Sequence, residues 1–536
     1  MEIGAPIRRA RRPGMERRRR HPPRPVSSGV RPMRTAFSPT DPAAVNETHT
    51  GIVFFAGDRA YKIKKPVDLG FLDFTTREAR EHACHREVEL NRRFAPDVYA
   101  GVADVHGPDG DVCDHLVVMR RMPAERRLAG LVRARRPVDD ALRDIARTLA
   151  AWHARAPRGV EISAEGTRDS LRERWQASFD QVRPFHDGAL DAAVASEVEW
   201  LTLRFLAGRE PLLDARIADG RVVDGHGDLL AHDIFVLDDG PRILDCLEFD
   251  DRLRYLDGLD DAAFLAMDLE RLGAPGLAEK FVGWYAEYAG DPAPPSLRHH
   301  YVAYRAFVRA KVACFRHAQG DSRAVVEAAN LAAVALRHLR AGSVSLILVG
   351  GLPGTGKSTL AGAIADRLGA TLIGSDRTRK ELAGLPPGRS AAAPYGTGLY
   401  DADSTGRTYS MLLERAQRLL QFGETVVLDA SWTDASHREE AQSSASAAHA
   451  DLIALRCDAP AGLTAERLRN RPHGASDATA VIAAAMAADA SPWPDAHVID
   501  TSGPIDKTLE QASSALQSHG VTIHERESRT PGAARR

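Results

Sequence analysis

At 536 residues, with 44% hydrophobic and 27% charged side chains, the chain is too long for one ordinary core and has a globular composition, so two domains plus tails are expected. No apolar run approaches the roughly eighteen residues of a membrane helix, and the five cysteines (Cys84, Cys113, Cys246, Cys314, Cys457) stand far apart without a CxxC pair. A membrane span, a disulfide framework and a zinc site are thereby excluded, and a reducing cytoplasm is expected.

The net charge of −2 conceals an asymmetry: residues 1–34 hold eleven Arg against two acidic residues, a local +9, which leaves −11 for the rest. Such an arm attracts polyanions, but Pro/Arg-rich sequence builds no core, so residues 1–44 read as a disordered tail, or as sequence ahead of a later start at Met15 or Met33. No apolar segment follows the arginines, which argues against a signal peptide. From about residue 45, "GIVFFAGDRAYKIKKPV" predicts two strands around a Gly-Asp turn. "REAREHACHREVELNRRF" has helical spacing, "DHLVVMRRM" supplies a strand, and "VDDALRDIARTLAAWHARA" is an amphipathic helix whose His153 reads as a packed structural residue beside Trp152. The layout is a small strand-rich lobe before a mainly helical one. After a long helical region ending at Gly342, "SVSLILVGG" predicts a strand buried on both faces. From there to about 520, apolar runs ("ATLIGSD", "TVVLDAS", "DLIALRCD", "DAHVIDT") alternate with helical stretches, the pattern of a parallel sheet. The expected domains are 45–340 and 341–520, with a frayed tail at 521–536.

"GLPGTGKST" carries Gly351, Gly354 and Gly356 before Lys357, Ser358 and Thr359, between a strand and a helix. Glycines there let backbone N–H groups face phosphate oxygens at a helix N-terminus, Lys357 reaches the terminal phosphates of ATP, and Ser358 can ligate Mg²⁺. Asp429 closes an apolar run, where a carboxylate could support the metal. Asp376, with Arg379 and Lys380 one helical turn on, lies at the end of the preceding run. This segment resembles the substrate side of small P-loop kinases of the zeta-toxin, polynucleotide kinase and gluconate kinase groups. The resemblance implies Asp376 as the base that takes the proton from an acceptor hydroxyl, and a lid in the stretch carrying Arg467, Arg469 and Arg471.

Upstream, "DGHGDLLAHDIFVLDDGPRILDCLEF" places Asp228 and Asp245 around two short strands and a "DDG" turn. The first half, from about 48 to 320, resembles the aminoglycoside phosphotransferase-like (choline kinase-like) branch of the protein-kinase fold. The resemblance implies that Asp228 orients and deprotonates an acceptor hydroxyl and that Asp245 binds Mg²⁺. It implies also that Lys62, in A-x-K, holds the α/β-phosphates, with an ion-pair partner in Glu87 or Glu89, Glu87 being preferred. Lys64 points to the same face as Lys62. Met122 would mark a hinge that meets adenine. Asp233 stands where that family has Asn; it keeps an oxygen ligand for the metal and adds a negative charge to be offset. Leu230 replaces a His.

Taken together, residues 45 to 505 resemble bacterial two-domain proteins with such a kinase domain before a P-loop domain, on stretches such as "AYKIKKPVDLGFLDF" and "LEFDDRLRYLDGLDDAAFLAMDLE". The fold class expected is α/β and α+β, a two-lobed protein-kinase-like domain followed by a P-loop α/β domain with a parallel sheet. The function expected is Mg²⁺/ATP-dependent phosphoryl transfer at two nucleotide sites to hydroxyls of unidentified acceptors, with ATPase activity in the P-loop domain. A nucleotide-binding regulator is the alternative from another class, and an aminoglycoside resistance kinase ranks below it. No membrane partner is expected, nor nucleic acid apart from the basic tail.

Overall fold

The computed structural model describes residues 45–47, 51–68, 73–186, 188–386, 389, 394, 396–470 and 478–521. The tail at 1–44, the terminal segment beyond Val521 and Arg471 lie outside the described residues.

The chain opens with an antiparallel sheet of five strands, β1 (Val45–Glu47), β2 (Gly51–Ala56), β3 (Arg59–Lys64), β4 (Tyr99–His106) and β5 (Val112–Arg120), in the order β1-β2-β3-β5-β4. The helix Arg77–Asn91 packs against it, and the Thr76 side chain accepts a hydrogen bond from the Ala79 N–H at 3.2 Å to start the helix. Ala60, Lys62 and Lys64 alternate along β3 toward the side where Cys84, Glu87 and Val88 of that helix are buried. This side of the sheet therefore combines an apolar core with buried charge.

A larger helical body follows. It contains three short strands of the central loops, β6 (Val222–Asp224) and the hairpin β7 (Ile234–Leu237) and β8 (Gly240–Ile243), with β9 (Tyr255–Asp257) pairing back to β6. Its core joins the helices Asp139–Arg155, Gly258–Arg271, Pro295–Ala318 and Ala324–Ala341 through residues such as Leu142, Leu149, Phe264, Phe307 and Leu331. Buried ion pairs pin these helices: Arg305 donates to both oxygens of Asp260 at 2.7 and 2.6 Å, and Arg216 grips Asp257 and Asp291. Burying either cation without its carboxylates would be costly, so these pairs fix which helices are neighbours.

The last part is a sheet of five parallel strands, β10 (Ser345–Gly350), β11 (Thr371–Gly374), β12 (Val426–Asp429), β13 (Asp451–Asp458) and β14 (His497–Asp500), in the order β11-β12-β10-β13-β14. The run "SLILVG" is buried throughout and serves two cores at once. Leu346 and Leu348 face the helices Ala402–Gln421 and Ala435–Ala447, while Ile347 and Val349 face Lys357–Leu368 and Ile505–Gln517. The order changes direction at β10, so the loop after it and the end of β12 open into one crevice, where ligands bind in sheets of this kind. The two halves touch through Ser296, whose hydroxyl donates to the Gly423 carbonyl at 2.7 Å, and through Arg204 and Asp451 at 2.7 Å.

Candidate functional site

In the first half the site lies between the small sheet and the helical body. Lys62 Nζ stands 3.0 Å from Glu87 Oε1 and 2.6 Å from Asp245 Oδ1. Of the two acids open on sequence, the structure brings Glu87 to the lysine, whereas Glu89 pairs with Arg86 on the outer face at 2.9 Å. Lys64 is equally engaged: its Nζ lies 2.6 Å from Glu87 Oε2 and it also pairs with Glu248. Glu87 is thus held between two lysines, each of which bridges it to a carboxylate of the 245–248 segment. Burial alone would raise the Glu87 carboxyl, but Lys62 and Lys64 hold it below the usual range. Burial opposes the charge on Lys62 as well, and Asp245 and Glu87 nonetheless keep it well above its ordinary value.

Asp228 sits in the loop after β6. Gly227 before it has φ +85, and a Cβ there would meet the Arg254 side chain at 3.0 Å, so glycine is required. The loop is clamped from below by Asp261, whose carboxylate accepts the N–H groups of His226 at 2.7 Å and Gly227 at 3.0 Å. His153 donates to the same carboxylate at 3.1 Å and meets the Tyr285 hydroxyl at 2.9 Å. Burial would neutralise Asp261, yet His153 and the loop hold its carboxyl well below the usual range. His153 is therefore buried and structural, and what it supports is the loop. Asp268 accepts the Ala231 N–H at 2.9 Å in the same manner. Burial, with Asp233 and Asp245 nearby, pushes the Asp228 carboxyl up to about 7 against the pull of Arg309.

Asp245 adopts φ +65, a left-handed backbone, with its N–H on the Tyr99 hydroxyl at 3.2 Å, and the next N–H goes to Asn91 Oδ1 at 2.9 Å. Asp233 ends a short helical turn, and its carboxylate is 3.4 Å from His232 Nδ1. His232 in turn meets Arg127 at 2.7 Å and is half-exposed. Among the described residues no group of three or more His, Cys, Asp or Glu is gathered tightly enough to hold a metal alone. Mg²⁺ takes one or two carboxylates and completes its shell with substrate phosphates and water. Asp233 and Asp245 are donors of this kind, and the repulsion they exert on Asp228 is the sort a cation relieves.

In the second half Gly351, Gly354 and Gly356 take φ of +132, +84 and +87 before the helix Lys357–Leu368. A Cβ on Gly351 would stand 2.6 Å from the Cys457 carbonyl oxygen, and one on Gly354 2.8 Å from that of Thr464. Gly354, Gly356, Lys357, Ser358 and Thr359 line a cavity of about 290 Å³ together with Arg467, Thr501 and Ile505. Arg467 donates to the Thr501 carbonyl at 2.8 Å, and Arg469 is exposed away from it. Asp429 ends β12 beside Gly374 of β11, so Asp376, two residues further, stands at the same edge of the sheet. Arg379 approaches Asp376 at 3.4 Å and lies over the Tyr400 ring at 4.7 Å.

Several contributors were not singled out on sequence. Glu248, Asn91 and Tyr99 act at long range and left no local sign. Asp260, Asp261 and Asp268 did leave one, since three acids in the apolar run "GLDDAAFLAMDL" must each find a buried partner.

A lysine–glutamate pair over a clamped aspartate loop, followed by a glycine-rich phosphate loop on a parallel sheet, defines the class as kinase-like and nucleotide-binding. Residues 346–492 match the AAA domain family. The chain is 45% identical over 468 residues to the uncharacterized protein Rv2004c of Mycobacterium tuberculosis, covering 87% of this chain and 94% of that one. Among solved structures it is similar to a gluconokinase from Sinorhizobium meliloti (20% identity, 33% of this chain and 92% of that chain, TM-score 0.25). It is similar too to a choline/ethanolamine kinase family protein from Mesorhizobium loti (17% identity, 56% and 93%, TM-score 0.34). The chain belongs to the family of the mycobacterial protein, and its C-terminal part carries the P-loop domain.

Proposed function

We propose that the protein is a cytoplasmic, Mg²⁺-dependent phosphotransferase with two ATP sites, in domains 45–340 and 341–520, that passes the γ-phosphoryl group to hydroxyls of small-molecule acceptors. The observation that carries the reading is the Lys62–Glu87–Asp245 constellation set above a loop whose Asp228 is held by backbone clamps. Lys62, steadied by Glu87, positions the phosphates. Asp228 accepts the acceptor's proton, a role suited to a carboxyl whose affinity for protons is already raised. Asp233 and Asp245 would hold the metal, which when bound neutralises charge on the phosphate oxygens. In the second site the N–H groups at Gly354 and Gly356, with Lys357, Ser358 and Thr359, cradle phosphates, Ser358 and Asp429 would serve the metal, and Asp376 accepts the proton.

One observation favours a second reading, in which the first domain is a nucleotide-binding switch. Lys62 and Asp245 are paired directly at 2.6 Å, so nucleotide entry must part them and shift one lobe against the other. The experiment follows γ-labelled ATP with a metabolite extract in wild type, Asp228→Ala and Lys357→Ala. A labelled product lost in only one variant assigns the active domain. Unchanged product formation and ATP hydrolysis in both variants would refute the two-kinase reading.

A further inference from the structure

Where the halves meet, Arg209 joins the helices Ala192–Gly208 and Glu210–Ala218 and presses on the chain just beyond the helix Ala435–Ala447. The approach is close: a Cβ on Gly208 would stand 2.4 Å from the Ala448 carbonyl oxygen. Arg209 is only 1% exposed. Its Nη1 donates to the carbonyls of Gly208 at 2.8 Å and Ala448 at 2.7 Å, and among the described residues its Nε has no acceptor. The charged neighbour it feels is another cation, Arg204, which Asp451 already engages at 2.7 Å. Arg216, Arg254 and Arg305, buried to a similar degree, each sit on a carboxylate. Among the described residues Arg209 has no carboxylate partner, only the Phe205 ring at 5.7 Å, and a guanidinium cannot shed its charge at ordinary pH.

His300 lies beside it, stacked on Phe205 with centroids 4.3 Å apart and 2% exposed. Its Nε2 faces the Trp175 indole N–H at 3.3 Å. An indole nitrogen only donates, so the imidazole proton must sit on Nδ1, and burial holds the ring neutral by drawing its pKa down to about 3. Among the described residues that Nδ1–H has no partner. Both residues line one cavity of about 20 Å³, with Ser296, Leu201 and Val344. About 10–15 Å³ accommodates one water-sized particle. Ser296 does not answer the need: its hydroxyl donates to Gly423, and among the described residues neither Arg209 Nε nor His300 Nδ1 donates to it.

We propose that this cavity at the seam binds one small monovalent anion of chloride size, held by the Arg209 guanidinium and the His300 Nδ1–H. The anion supplies both the missing acceptor and the missing countercharge; a water would supply only the first. Because Arg209 also grips the Ala448 carbonyl, anion binding tightens the docking of the two halves.

Thermal unfolding of the full chain in sodium chloride is compared with sodium isethionate at equal ionic strength. The midpoint is expected to rise with chloride, and beyond saturation each tenfold increase multiplies the folded-to-unfolded ratio by about ten. Arg209→Met removes the response. Should that variant fail to fold, His300→Phe keeps the ring stack without the donor, and raises the half-saturating chloride concentration roughly tenfold. Crystals soaked in bromide show an anomalous peak beside Arg209. Equal midpoints in the two salts, or a water in the cavity of bromide-soaked crystals, overturn the proposal. A bromide peak without any effect on the midpoint marks an adventitious ion only and overturns it as well.

Discussion

Replacing Asp228 by asparagine is expected to abolish transfer by the first half and, in the same protein, to stabilise that half at alkaline pH. The carboxyl is pushed up to about 7 in the folded chain, from 3.8 as its ordinary value. A group whose folded pKa is raised contributes fully below its unfolded pKa, and that contribution is lost as pH rises through the folded one. Between 3.8 and 7 the loss accumulates to a ceiling of about 4 kcal/mol, at about 1.4 kcal/mol per unit. Water reaching the open cleft lowers this to ~1–3 kcal/mol. Asparagine keeps the shape and removes the charge, so the variant gains that amount at pH 8 and less than half of it at pH 5. Differential scanning calorimetry without nucleotide or divalent cation reads this as a rise of roughly 2–5 °C in the first-half transition at pH 8. Equal shifts at both pH values, or a fall at pH 8, would mean that burial is not what sets the carboxyl's affinity for protons. Such a gain on removing a buried carboxylate is the usual price of a strained site.

Glu87→Gln leaves Lys62 and Lys64 with half their partners and is expected to cost about 3–5 kcal/mol, as measured by urea denaturation, and to weaken ATP use at the first site. An unchanged midpoint would rule out a bridging role. Asp261→Ala strands the amides of His226 and Gly227 at about 1–3 kcal/mol each and is expected to lower kcat more than it raises KM for ATP, since it loosens the loop that carries Asp228 rather than the Lys62 pair. Lys357→Ala is expected to remove nucleotide binding from the second site while titration calorimetry still finds the first. Gly351→Ala forces a Cβ to within 2.6 Å of the Cys457 carbonyl, and is expected to disable the phosphate loop even though it touches no phosphate-binding side chain.

Much of this was legible because it is local. The hairpin around Gly57 and Asp58, the five apolar runs of the second sheet and the phosphate loop each follow from residues adjacent in sequence. Asp228 and Asp245 were legible as a pair because the β7/β8 hairpin between them is itself written in "IFVLDDGPRI". Lys64–Glu248, Tyr99–Asp245 and Asn91–Cys246 were not, since each joins residues more than a hundred positions apart and carries no periodic or turn signal.

The sequence by itself determined the glycine-rich loop on the second sheet and the aspartates around the β7/β8 hairpin, because glycine spacing, apolar periodicity and strand-end acids act within a few residues. The tertiary structure alone decided which glutamate meets Lys62, what holds the Asp228 loop in place and that Arg209 is buried with no carboxylate beside it among the described residues. Those outcomes depend on which groups share a low-dielectric space, and that is settled only when the helices and sheets have packed.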